Sequence, residues 1–188
     1  GVGLTGIAKR ADLSGYDYKY LQRMATYGTY SMADELGTPR PKNTTLIKPS
    51  GTLSKIMDTT EGAHKPLGKY IFNNVQFGKH DPLVEILKNA NYNVFNHPTD
   101  DTGILVTLPI SYDDVEFETV NNIEVNLETA IEQLERYKLL QNNWADQNVS
   151  VTISYDLDEV ENIIDWLIIN WESYVGVSFI YRNDPTKT

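Results

Sequence analysis

The sequence contains no cysteine in 188 residues. That excludes a disulfide framework, a thiolate metal site and a cysteine nucleophile within this chain. Positive charge is scarce: 16 Lys and Arg stand against 26 Asp and Glu, a formal net charge of −10. A binder of phosphate backbones needs a broad positive face, so nucleic acid is not an expected partner. No apolar run approaches the roughly 18 residues of a membrane span, and no charged-then-apolar leader stands at Gly1. Membrane and secretory readings drop out on those grounds. What remains is a 40% hydrophobic, 11% aromatic chain, long enough for one sizeable core. Residues 1–188 read as a single domain segment, and the start at Gly1 rather than Met reads as a piece of something longer.

Hydrophobic spacing outlines the elements. Leu21, Met24, Ala25, Gly28, Met32 and Leu36 recur at three-and-four spacing and predict the buried face of a helix from Asp17 to Leu36, stopped by Gly37 and Pro39. Thr44 to Ile47 predicts a buried strand, Pro49-Ser-Gly-Thr52 breaks it, and Leu53 to Met57 reads as the first turns of a helix. Tyr70 to Phe77 and Ile104 to Leu108 predict strands, with a helix from Asp81 to Ala90 between them that carries Pro82 in its first turn. Asp113 to Asn122 reads as a solvated loop. A helix running from Leu127 to about Trp144, a strand from Val149 to Tyr155, a helix capped by Asp158 and a last strand from Val177 to Tyr181 complete the chain. Strands alternating with helices predict an α/β fold whose strands are largely parallel and covered on both faces.

The charge is unevenly placed. Between Thr38 and Tyr70 lie Arg40, Lys42, Lys48, Lys55, Lys65 and Lys69 against only Asp58 and Glu61, a positive island in an acidic chain. Strand, Pro49-Ser-Gly-Thr52 and helix occupy its centre. That order aims backbone N–H groups and the positive end of a helix dipole at one spot, while Ser50, Thr52 and Ser54 add hydroxyls. Gly51 has no Cβ to keep an oxyanion away. A substrate phosphate suits such a place; a plain N-cap among solvated lysines is the blander account. The G-x-x-x-x-G-K-[ST] spacing of a P-loop is missing, which disfavours nucleotide hydrolysis.

Other features carry less. Gly1-Val-Gly-Leu-Thr-Gly6 has dinucleotide-loop spacing but no preceding strand, so close packing of elements is its expected role. His64 is a possible auxiliary donor or acid beside the same loop, whereas His80 and His97 stand next to turn residues. No histidine pair has metal-ligand spacing and no metal site is expected. Asp113, Asp114, Glu116 and Glu118 lie in a polar run with nothing to raise a pKa. Trp144, Trp166 and Trp171 fall at helical positions typical of core residues.

Four stretches in register carry a family resemblance: Lys48-Pro-Ser-Gly-Thr-Leu-Ser54, with Glu61-Gly-Ala-His64, Tyr70 and Asp81-Pro-Leu-Val84 after it; Gly1-Val-Gly-Leu-Thr-Gly-Ile-Ala8; Trp144-Ala-Asp-Gln-Asn-Val-Ser150; and Gly176-Val-Ser-Phe179. Together they resemble the C-terminal part of the catalytic barrel of ribonucleotide reductases, nearest to the monomeric, adenosylcobalamin-dependent ribonucleoside-triphosphate reductases. The resemblance implies the later portion of a ten-stranded α/β barrel. It implies that Ser50, Gly51, Thr52 and Ser54 contact the phosphates of a ribonucleoside triphosphate, with Lys48 and His64 as auxiliaries. It further implies a cytoplasmic oxidoreductase that uses adenosylcobalamin, held mainly by an upstream part, and thioredoxin or a dithiol as reductant.

The chain also departs from that family. Family chemistry uses a cysteine thiyl radical, a second cysteine pair, and an Asn and Glu on a finger loop. A chain without cysteine has no catalytic residue of that kind, so the cysteine-bearing machinery is expected upstream and the chain alone is expected to be inactive. Metal-dependent members carry two consecutive tyrosines on the last strand to relay a radical from a second subunit. Ile180 and Tyr181 stand there, and aliphatic Ile180 cannot be oxidised, which points to the cobalamin type over a metal-dependent two-subunit enzyme. A stand-alone nucleotide- or phosphate-binding module is the alternative from another class. An upstream reading frame with the cysteine loop would separate the two.

Overall fold

The computed structural model describes residues 1–182, apart from the side chain of Thr52. Four short strands run parallel. β1 (Val2–Gly3) pairs with β2 (Thr45–Leu46) at Val2↔Thr45, and β8 (Thr152–Tyr155) pairs with β9 (Ser178–Tyr181) at Thr152↔Ser178. A parallel bridge between Ile47 and Val149 joins the two pairs, with Ser150 N–H donating to Ile47 O at 3.0 Å. The resulting order is β1-β2-β8-β9.

Helices make the crossovers. α1 (Gly15–Glu35) lies between β1 and β2, α4 (Ala130–Asn143) leads into β8, and α5 (Val160–Ile169) links β8 to β9. Capping boxes start two of them: Ser14 with Asp17 for α1, and Thr129 with Glu132 for α4. Alternation along the strand sends Val149, Val151 and Ile153 to one side, where they meet Ile47, Leu134, Tyr137, Leu140, Ile163 and Trp166 in the core. Burial stabilises each large member of this cluster by about 1.5–3 kcal/mol. The opposite face carries Ser150, Thr152, Ser154, Ser178 and Ile180; Ile180 is 57% exposed.

Two expectations about packing are corrected here. On α1, Leu21, Met24, Met32 and Leu36 are exposed, and the helix instead buries Tyr18 and Ala33 with Ala25 partly packed. It is this line, a tyrosine with two alanines, that faces α4 and β2. Trp144 and Trp166 are core residues as expected, but Trp171 is 72% exposed on a 3₁₀ turn, edge-on to Tyr174.

Strand direction is the larger correction. β3 (Tyr70–Gly78), β4 (Asn93–Asn96) and β5 (Gly103–Ser111) form an antiparallel sheet in the order β3-β5-β4. β3 and β5 pair along their whole length, from Tyr70↔Ser111 to Gly78↔Gly103. Helix α3 (Pro82–Asn89) packs on it, capped by Asp81 with Pro82 at its start. The segment expected to be a loop, Asp113 to Asn122, instead ends in a strand, β6 (Glu118–Val120), which pairs antiparallel with β7 (Ile123–Val125) just beyond it. Asn121 and Asn122 join them with φ of 50° and 65°, the left-handed pair a tight hairpin requires. Five of the nine strands among the described residues are thus antiparallel, because alternation with helices orders elements without fixing their direction.

Candidate functional site

β2 delivers the chain to Lys48 and Pro49, and Ser50 then takes a left-handed conformation (φ 53°, ψ 38°) before helix α2 (Gly51–Ile56). Ser50 is not a side-chain cap of that helix; its hydroxyl lies 2.8 Å from that of Thr5. The helical ladder begins at Ser54 N–H, which donates to Ser50 O at 2.8 Å, so the turn before it points its N–H groups outward. A Cβ placed on Gly51 would meet nothing within 4 Å. Beside the turn lies a concavity of about 690 Å³, lined among others by Gly3, Thr5, Leu46, Lys48, Ser50 and Leu53. It lies where parallel strands end, the usual ligand position in open α/β sheets.

The expected site residues separate. Lys48, exposed, and Ser50, half-buried, line the concavity, and Gly51 is exposed next to Ser50 in the chain. The side chain of Thr52 lies outside the described residues. Ser54 is fully buried, and its hydroxyl donates to Gly51 O at 3.3 Å. His64 stands apart from that concavity. Its Nε2 accepts the Thr152 N–H at 3.0 Å, which ties it to β8, and it lines a different concavity of about 300 Å³ together with Lys55, Glu61, Tyr112 and Ser154. Burial pushes the His64 pKa below the ordinary value, in keeping with a neutral ring that accepts a hydrogen bond.

The positive island is largely neutralised in space. Lys55 pairs with Glu61 at 2.8 Å, Lys65 with Glu118 at 3.2 Å, Lys69 with Glu124 at 3.1 Å, and Arg40 with Asp34 at 2.5 Å. Glu118 and Glu124 come from the hairpin strands β6 and β7, a sequence distance that hid the pairing. Among the described residues Lys42 and Lys48 have no carboxylate partner, and of the two only Lys48 lines the concavity. Attraction for an anion there comes from one lysine and from backbone dipoles.

Sequence reasoning missed Thr5. Its hydroxyl touches Ser50, donates to Thr60 O at 2.7 Å and accepts from Gly62 N–H at 3.1 Å. The glycine spacing around it was the available signal, and it spoke only for backbone conformation. Gly62 (φ +47°) is equally constrained, since a Cβ there would stand 2.4 Å from Lys48 O. On the last strand, Ile180 pairs with Ser154 on the face away from α4 and α5. Tyr181 points the other way, edge-on to Tyr155 at 6.2 Å.

The chain is 34% identical over 157 residues to a probable adenosylcobalamin-dependent ribonucleoside-triphosphate reductase of Dictyostelium discoideum, a match that covers 81% of the chain and 20% of the relative. It is 30% identical over 139 residues to the adenosylcobalamin-dependent ribonucleoside-triphosphate reductase of Levilactobacillus brevis, covering 72% of the chain and 18% of that protein. The chain therefore spans about a fifth of the length of these relatives. A crystal structure of a B-12 dependent (class II) ribonucleotide reductase superposes with a TM-score of 0.73 over 90% of the chain and 23% of that structure, at 23% identity. No family model matches. The fold is thus that of part of a class II reductase, and the parallel run β1-β2-β8-β9 is in keeping with its α/β barrel.

Proposed function

We propose that this chain, a homologue of one segment of the adenosylcobalamin-dependent ribonucleoside-triphosphate reductases, is the substrate-phosphate-binding, C-terminal part of such an enzyme's barrel, with residues 1–188 acting as one segment. The observation that carries the proposal is the Ser50-Gly51 turn, open on the side of Gly51, at the end of a parallel strand within the matched region. Backbone N–H groups of the first turn of α2 and the hydroxyls of Ser50 and Thr52 donate to phosphoryl oxygens. Lys48 supplies the nearby positive charge, and Ser54 holds the carbonyl of Gly51 from below.

The reaction served is reduction of a ribonucleoside triphosphate. With no cysteine, the chain supplies neither a thiyl radical nor a reducing dithiol, so both come from polypeptide outside this sequence. The electrons then come from thioredoxin or another dithiol, and the setting is the cytoplasm. Adenosylcobalamin supplies the radical when bound, yet the residues here do not form its site. The imidazoles are otherwise engaged or remote from the loop in sequence: His64 accepts a strand amide, His97 accepts the Thr99 N–H, and His80 is exposed. Ile180 on the last strand is not oxidisable, which favours a locally generated radical over a tyrosine relay.

The test is nucleotide binding by the intact protein. Ser50→Ala and Thr52→Ala are expected to weaken it by roughly 1–2 kcal/mol each, the value of one hydrogen bond to a charged partner. Gly51→Val is expected to weaken it further by filling the phosphate's place. Calorimetric affinities unchanged in all three variants would refute the assignment.

A further inference from the structure

The opening segment Gly1 to Gly6 has no part in the function proposed above, yet three separate stretches of chain meet at its threonine. Thr5 Oγ1 lies 2.8 Å from Ser50 Oγ, 2.7 Å from Thr60 O and 3.1 Å from Gly62 N. Proton counting restricts these contacts. Thr60 O only accepts, Gly62 N–H only donates, and Thr5 owns a single hydroxyl proton. While that proton points to Thr60 O, Ser50 must donate to Thr5. Ser50 Oγ then offers lone pairs alone, the wrong polarity for a phosphoryl oxygen.

A second arrangement fits the same heavy-atom positions. If Thr5 turns its proton to Ser50 Oγ, the Ser50 proton is released for another acceptor. Thr60 O is not stranded by the change, because Gly6 N–H donates to it at 3.0 Å. Gly62 N–H keeps its acceptor, since the Thr5 oxygen does not move. Rotation of two hydroxyls is enough to turn Ser50 from acceptor into donor.

We infer that Thr5 is a positioning residue for the candidate phosphate site: by turning its hydroxyl proton to Ser50 Oγ it fixes the serine hydroxyl with its own proton aimed at an arriving phosphoryl oxygen. The inference rests on the phosphate-binding role proposed for Ser50. Thr5 acts through Ser50. Its hydroxyl also ties the loop to Thr60 and Gly62, so a purely structural role must be separated from the positioning role by experiment.

Binding of inorganic tripolyphosphate to the intact protein, measured by calorimetry, provides that separation. Thr5→Val is expected to weaken binding about tenfold, and Thr5→Ser, which keeps the hydroxyl, to stay within about twofold of the parent. In a Ser50→Ala background, Thr5→Val is expected to add less than about twofold, because Thr5 acts through Ser50. Thr5→Ala deletes the hydroxyl with less bulk and gives the same comparison if the valine variant folds poorly. Parent-like affinity in Thr5→Val, failure of Thr5→Ser to restore binding, or an equal loss with and without Ser50 would each overturn the inference. Parent-like affinity in Ser50→Ala would overturn the phosphate role of Ser50 and this inference with it.

Discussion

One substitution, glycine to alanine, is expected to have opposite effects at two positions, and the structure sets both magnitudes. At Gly62 the backbone is left-handed, which costs an L-residue about 1 kcal/mol. The added Cβ would stand 2.4 Å from Lys48 O, below the 3.0 Å that real Cβ atoms respect. A backbone carbonyl cannot swing aside as a side chain can, so the strand exit at Lys48 and the turn at Gly62 must separate. That shift stretches two hydrogen bonds, Gly62 N–H to Thr5 Oγ1 at 3.1 Å and Ile7 N–H to Gly62 O at 3.4 Å, each worth about 1 kcal/mol. The total is about 3 kcal/mol, or a fall in Tm of roughly 6–12 °C for a chain of this size. Gly28 sits mid-helix in α1, with nothing within 4 Å of a Cβ and no left-handed backbone. Gly28→Ala should raise Tm by roughly 1–4 °C through helix propensity and a less mobile unfolded chain. Thermal denaturation followed by circular dichroism measures both. A Gly62→Ala variant that melts with the parent, or a Gly28→Ala variant that falls as far as Gly62→Ala, would refute this account of the loop.

Tyr137→Phe should lower the denaturant midpoint by about 1–2 kcal/mol of stability, since the fully buried hydroxyl accepts from Val175 N–H at 2.9 Å and donates to Asn148 at 3.1 Å. Asp146→Asn should cost about 1 kcal/mol in the same urea titration. One carboxylate oxygen accepts from both Thr44 and Thr45 N–H, and the other from Gln22. Burial raises the Asp146 pKa, but those donors outweigh it and the net shift is downward. Its contribution is therefore present above the ordinary carboxylate range and lost as acid titrates it. His64 adds a second acid-side loss. Its depressed pKa means the unfolded chain takes up a proton first, so stability declines as pH falls below 6.5. His64→Gln should flatten the stability profile over that range, and an unchanged slope would count against the neutral ring assigned here.

The strand leading into Pro49-Ser50-Gly51 was legible because β-branched residues, a proline and a glycine punctuate it locally. The role of each side chain around the loop was not. Ser50 has the composition of a helix cap, but its left-handed backbone turns the hydroxyl toward Thr5, a partner 45 residues away. Lys65 and Lys69 of the island read as free charge because their carboxylates lie on β6 and β7. That hairpin was hidden in an acidic run whose only sign was Asn121-Asn122. On α1 the apolar stripe gave the helix but misplaced its inner face, since the line of Tyr18, Ala25 and Ala33 that faces α4 and β2 cannot be seen from hydropathy. Ile180 could be located on its strand from alternation, while its side of the sheet follows from pairing with Ser154.

The seam between β2 and β8 has a consequence in time. β2 meets its downstream neighbour by one backbone bridge at Ile47, and side chains complete the join. Trp144 Nε1 donates to Leu46 O at 3.0 Å, Thr45 donates to Trp144 O at 2.5 Å, and Asp146 accepts the amides of Thr44 and Thr45. All of these partners lie 98 to 102 residues further along the chain. At synthesis rates of about 5–20 residues per second, β2 leaves the ribosome roughly 5–20 s before they exist. During that interval its Thr-Leu-Ile run has only β1 to pair with and its other edge is open, and a nascent chain held there is where a chaperone would engage it.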